Sequence, residues 1–221
     1  MPVLPVSILG LYVLVGLIHE ISALRFWEKL RLFTKAALMP VLLIFYIFSS
    51  VNFNPVTKIG IMAVIAIAFS WIGDIFLIRK DEPKFFRLGL VAFLISHVFY
   101  FVTLVLMIQS PPRMVALIIS IIIALGAEIL LPIIIKPSKA MRIPVIVYGI
   151  VLLSMSVCAF QYMLLNLTVA SVLLFTGSVI FIFSDSLMTY FAFGKKPKYF
   201  NAITMLPYII AQGLIVFGLA F

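Results

Sequence analysis

The 221-residue chain has one cysteine, two histidines and seven acidic side chains, and charged residues make up only 10% of it. A single cysteine, Cys158, rules out a disulfide framework and a cysteine metal cluster. His19 and His97 have no metal-binding spacing such as His-Glu-x-x-His, so nothing argues for a metal or a cofactor. Soluble domains carry about 25% charged residues, so a soluble globular domain is excluded, as is a disordered chain. What the sequence has in abundance is apolar surface, at 65% of residues and a mean hydropathy of +1.31.

Eight apolar runs account for it, at 4–22, 36–52, 59–78, 88–108, 114–135, 143–163, 168–193 and 200–221. Each approaches the roughly 20 residues a helix needs to cross a bilayer. The expected fold is an all-α integral membrane protein of eight transmembrane helices, forming one polytopic domain with short loops. Residues Met1–Pro5 contain no basic residue, so the first run is expected to be a retained span and not a cleaved signal. Pro40 and Pro144 fall near the starts of their runs, whereas Pro132 and Pro207 are internal and are expected to kink their helices.

The excess of basic residues, which leaves a net charge of +9, follows topology. Fourteen of the sixteen Lys and Arg lie in the first, third, fifth and seventh connections; only Lys58 and Arg113 lie in the others. The positive-inside rule then places the odd loops in the cytoplasm and both termini outside. With the basic residues used this way and no basic–aromatic soluble face, no nucleic-acid partner is expected. The compact loops point to a bacterial inner membrane. The oligomeric state leaves no mark in the sequence.

Ionisable groups within spans are costly and tend to mark sites. At 1.5 Å per residue, Asp74 lies about 7 Å from the cytoplasmic edge, Glu128 about 12 Å, and Asp185 and His97 about 15 Å. His19 and Glu20 lie nearer an interface. The outer half of the spans has almost no such groups, so a single polar cavity on the cytoplasmic side is expected. Phe93, His97 and Tyr100 share one helical face, and Tyr208, Ala211, Gln212 and Ile215 share another. Gly177 and Ser178 would let a neighbour approach the Asp185 helix. Asp74 and Asp185 are 111 residues apart, about half the chain, and Met39-Pro-Val and Ile143-Pro-Val recur at span starts. This suggests a 4+4 parallel repeat with the aspartates in equivalent positions. Each buried acid or histidine also has a plainer reading, as a hydrogen bond between helices.

Several segments resemble the YhhN-type membrane proteins, which include the lysoplasmalogenases. They are Lys35-Ala-Ala-Leu-Met-Pro40, Phe69-Ser-Trp-Ile-Gly-Asp74-Ile-Phe-Leu77, Gly89 to Tyr100 with Ser96-His97, Pro144-Val-Ile-Val-Tyr148-Gly149, Gly177 to Ser186 with Ser184-Asp185, and Tyr208-Ile-Ile-Ala-Gln212. The resemblance implies eight helices and hydrolysis of the vinyl ether bond of lysoplasmalogens, giving a fatty aldehyde and a glycerophospho-ethanolamine or -choline. It implies Asp74 and Asp185 as the catalytic pair. His97 and Tyr100 are candidates to bond an aspartate or the ether oxygen, and Lys35 to hold the phosphate. Tyr148, Ser184, Tyr208 and Gln212 complete the candidate substrate-binding set. The partners so implied are an ether lysophospholipid and the bilayer.

Vinyl ether hydrolysis needs an acid that protonates carbon and a carboxylate that activates water, the division of labour found in glycosidases. Two carboxyls in a low-dielectric cavity repel each other, so one keeps its proton; Asp185, the deeper, is the expected acid and Asp74 the base. A proton-coupled carrier would use the same pair as relays but needs polar lining on both sides. An intramembrane aspartyl protease would need Gly-x-Gly-Asp, and Trp71 stands where the first glycine belongs.

Overall fold

The structure, a computed structural model, describes residues 3–49, 57–79 and 81–221. The described residues form eight α-helices: α1 (Val3–Leu24), α2 (Glu28–Ser49), α3 (Lys58–Phe76), α4 (Pro83–Met107), α5 (Met114–Ile135), α6 (Lys139–Leu165), α7 (Val169–Phe193) and α8 (Phe200–Ala220). A short 3₁₀ helix, Leu77–Arg79, follows α3. All eight helices are long and apolar enough to cross a bilayer, and the chain is an integral membrane protein. Lys80 and the expected end of the second span, 50–52, lie outside the described residues.

Three helices begin earlier than the apolar runs suggest. α2 starts at Glu28 and not at 36, α4 at Pro83 and not at 88, and α6 at Lys139 and not at 143. Hydropathy ends a run at its first charges, but Lys and Arg are good helix formers and their long stems lie along apolar surface. Lys29, Arg31, Lys35, Lys84, Arg87, Lys139 and Arg142 are therefore helical residues and not loop residues. Pro40 changes place accordingly and lies in the middle of α2.

The chain divides into two compact units, Met1–Thr103 with Leu219–Phe221, and Leu104–Gly218. In the first, α1 packs on α2 and α2 on α3. His19 of α1 donates from Nδ1 to Thr34 Oγ1 of α2 at 3.0 Å, and the Thr34 hydroxyl donates to the Leu30 carbonyl at 2.9 Å. This is the structural role a buried interhelical histidine commonly has.

The mid-helix proline of α2 has a specific remedy. Proline has no N–H, so Pro40 leaves the carbonyl four residues earlier, that of Ala36, without its helical donor. The indole Nε1–H of Trp71 on α3 donates to that carbonyl at 2.9 Å. A defect in one helix thus becomes a bond to the next, as membrane proteins require where no water can intervene. Trp71→Phe removes the donor and leaves the carbonyl unsatisfied, at an expected cost of about 1–3 kcal/mol; a thermal shift in detergent measures it, and an unchanged Tm would refute the role.

In the second unit α6 packs against both α5 and α7. α7 opens on a capping box in which Thr168 accepts from the Ser171 N–H at 3.2 Å and Ser171 Oγ accepts from the Thr168 N–H at 3.0 Å. α5 closes on Lys136 in the left-handed conformation, φ 51°, immediately before Pro137. As expected from its small side chain, Gly177 takes the backbone of α8 in close contact: a Cβ there would lie 2.9 Å from both the Ala211 carbonyl oxygen and the Ile215 nitrogen. The Ser156 and Ser178 hydroxyls, 2.9 Å apart, tie α6 to α7.

Candidate functional site

The two aspartates lie in different units, and each has its own set of partners. Asp74 sits two residues from the end of α3, fully buried. A carboxylate there meets the negative end of the helix dipole and has lost its water. Lys35 of α2 answers both problems, with Nζ 3.4 Å from Asp74 Oδ1 and both side chains almost wholly buried. The Trp71–Ala36 bond lies one residue from Lys35 and three from Asp74, so the α2–α3 register that makes the ion pair is the one fixed through Pro40.

α4 brings the remaining polar groups of this unit. It approaches the end of α3 through two glycines: a Cβ on Gly73 would lie 2.6 Å from the Phe93 ring, and one on Gly89 would lie 2.7 Å from the Leu77 side chain. Ser70 and Ser96 share a hydrogen bond at 2.7 Å, and Ser96 donates to the Ala66 carbonyl, also at 2.7 Å. Tyr100 bonds Ser70. His97, fully buried, donates from Nδ1 to the Phe93 carbonyl at 2.6 Å, which makes Nε2 the acceptor nitrogen. Its ring lies 6.4 Å from those of both Phe93 and Tyr100, the shared face expected of their spacing. Tyr12 of α1, buried and within the electrostatic reach of Asp74 and Tyr100, completes the group. Sequence reading missed Tyr12 because a tyrosine in a first span looks like an interfacial packing residue.

Asp185 occupies the second unit. The Tyr148 hydroxyl of α6 donates to Asp185 Oδ2. One turn on, Thr189 donates to the Asp185 carbonyl at 2.6 Å. Ser184 donates to the Thr204 carbonyl of α8 at 3.2 Å, a bond that holds α7 to α8 next to the aspartate. Tyr208 packs edge-on against Phe181 with ring centroids 5.6 Å apart, and Gln212, one turn further, is fully buried. A cavity of about 40 Å³ lies against Asp185, lined also by Tyr148, Ser186, Thr189 and Glu128. Among the described residues no group of three His, Cys, Asp or Glu is arranged to hold a metal ion.

Of the sequence-predicted residues, Lys35, Asp74, His97 and Tyr100 gather in the first unit, and Tyr148, Ser184, Asp185, Tyr208 and Gln212 belong to the second. Both aspartates are buried, as expected of site acids, but they differ in chemistry: one faces an ammonium, the other a phenol.

The sequence matches the YhhN family over residues 30–219. The chain belongs to the YhhN family. The matched range holds Lys35, both aspartates and the rest of the candidate catalytic and substrate-binding set; Tyr12, His19 and Glu20 fall before it. The chain matches no curated protein and no solved structure.

Proposed function

We propose that this YhhN-family protein hydrolyses the vinyl ether bond of lysoplasmalogens by acid–base catalysis with Asp74 and Asp185. The observation that carries the reading is the unequal partnering of two buried aspartates within a YhhN-family chain. Vinyl ether cleavage asks for two different carboxyl groups, one a proton donor and one a base. Lys35 compensates a negative charge on Asp74, which suits it to be the carboxylate. Asp185, held by the neutral Tyr148 hydroxyl, suits the acid.

In this scheme Asp185 gives its proton to the β-carbon of the alkenyl ether, forming an oxocarbenium ion. Asp74 takes a proton from a water molecule as its oxygen bonds the α-carbon. The resulting hemiacetal breaks its C–O bond to release a fatty aldehyde and the glycerophospho-alcohol. His97 and Tyr100, on one face of α4 in the unit of Asp74, serve as further hydrogen-bonding groups. Ser184, Tyr208 and Gln212, in the unit of Asp185, are the further polar groups offered to the substrate. The alkenyl chain lies among apolar helices, and the basic helix starts meet the phosphate. Lys35, buried against Asp74, acts on the carboxylate in place of the headgroup role expected from sequence. The charge asymmetry favours cytoplasmic odd loops and external termini in a bacterial inner membrane, and the half-chain spacing of the aspartates favours the 4+4 repeat within one polytopic domain.

The test is direct. Purified protein in detergent is incubated with lysoplasmenyl-ethanolamine, without added metal or cofactor, and fatty aldehyde is measured. The expected result is aldehyde in step with loss of the lipid. A folded protein that yields none would overturn the hydrolase reading and bring forward a proton-coupled carrier with the same two acids.

A further inference from the structure

The cavity beside Asp185 holds a third carboxyl that the scheme above does not use. Glu128 projects from α5, a helix whose neighbouring residues Leu125, Ile129, Leu130 and Ile133 are all exposed on its apolar surface. An acid on such a helix is costly unless it serves a purpose. Its carboxyl group is seated on the backbone of α6 at Gly149: a Cβ on that residue would overlap Glu128 Oε2 and lie 3.1 Å from both its Cδ and its Oε1. The missing side chain is therefore the space that the Glu128 carboxyl fills. Gly149 follows Tyr148 directly, so the same turn of α6 that donates to Asp185 also receives Glu128.

Of the residues lining this cavity, the titratable ones are Glu128 from α5, Tyr148 from α6 and Asp185 from α7; no Lys, Arg or His lines it. Its volume of about 40 Å³ has room for about three or four waters at roughly 10–15 Å³ each. Among its apolar walls the cavity offers the two carboxyls and the hydroxyls of Tyr148, Ser186 and Thr189 as stations for a proton carried by water, with no cation beside them.

We propose that Glu128, its carboxyl seated against Gly149, is the proton-relay partner of Asp185, passing a proton to it through water in the cavity that both acids line. The catalytic part of this proposal rests on the hydrolase reading. There, Asp185 loses a proton to carbon in each turnover, and the proton taken from the attacking water ends on Asp74. Asp74 returns its proton to solvent, Glu128 gives one to Asp185 through the cavity water, and Glu128 regains one from solvent. Protons balance over the cycle, and no oxidant, reductant or further reactant is needed.

Two variants test it, Glu128→Gln and Gly149→Ala, in the full chain in lipid nanodiscs. The first keeps the shape and removes the ionisable proton. The second keeps the glutamate and displaces its flexible end from α6. The first readout is an infrared pH titration of the carboxylic C=O band that Asp185→Asn deletes. Coupled acids perturb each other by about one pH unit or more, so the midpoint of that band is expected to move by at least about one unit in both variants. An unmoved midpoint in both would overturn the proposal. The second readout is aldehyde release: kcat is expected to fall about 10–100-fold, toward the low end of general acid–base effects, with KM within about threefold and with rescue of Glu128→Gln by added acetate. Wild-type kcat across the pH range in Glu128→Gln would overturn the relay even if the band moves. If the wild type releases no aldehyde, the hydrolase reading fails, and the infrared titration alone decides whether the two acids share a proton.

Discussion

Asp185→Asn is expected to lower aldehyde release by about 10²–10⁴-fold, the range for loss of a positioned general acid or base, with the protein still folded. The amide oxygen of Asn still accepts the Tyr148 hydroxyl, so the α6–α7 contact survives while the transferable proton is lost. Asp74→Asn is expected to cause a loss of similar size for a different reason, since an amide cannot take a proton from water. The two should differ in stability. Asp74→Asn leaves the Lys35 ammonium buried without its counter-charge, and it should lower the Tm where Asp185→Asn does not. Activity and thermal unfolding measured on the same preparations separate the two effects. Wild-type turnover in either variant would remove that aspartate from the chemistry.

Lys35 carries the second large effect. Removing one partner of a buried ion pair strands the other charge, and such changes cost about 3–5 kcal/mol. Lys35→Met should therefore be among the most destabilising single changes in the first unit. The double variant Lys35→Met with Asp74→Asn removes both charges and should recover most of the lost stability, because no buried charge is left without a counter-charge. It should not recover activity. A double-mutant cycle on Tm and on aldehyde release reads both at once. If the double variant were no more stable than Lys35→Met alone, the pairing would have no energetic weight. Lys35→Arg is a useful companion, since a planar guanidinium does not replace a point-like ammonium in a closed site.

These expectations depend on contacts that linear reading reaches only in part. The helices themselves were legible, because an apolar stretch of bilayer length has few other uses. Their starts were less so. The hydropathy of Glu28 to Lys35 describes a loop, yet the backbone continues helically through it and carries Lys35 inward to Asp74. That pairing joins residues 39 apart on different helices, and no periodicity within one helix encodes it. The basic residue therefore looked like a headgroup ligand. The aspartates stood out because a carboxyl within a span is conspicuous on its own. Glu128 was equally conspicuous, but its neighbour across the helix boundary is a glycine, and the absence of a side chain at residue 149 has no meaning until α5 and α6 are brought together. His97 and Tyr100 were placed correctly on one face because that relation is local, four and three residues along a single helix.

The bond between Trp71 and the Ala36 carbonyl makes the history of this site directional. A chain that acquired Pro40 first would have had to carry an orphaned carbonyl inside the membrane until the indole arrived. One that acquired Trp71 first would have met no such penalty, since a helix carbonyl readily accepts a second donor. Once both are in place they are not equally free to be lost: reverting Trp71 exposes the defect, whereas reverting Pro40 only makes the indole redundant. The mutational route past Lys35 and Asp74 thus has an easy direction and a hard one, and a proline five residues along α2 from Lys35 determines which is which.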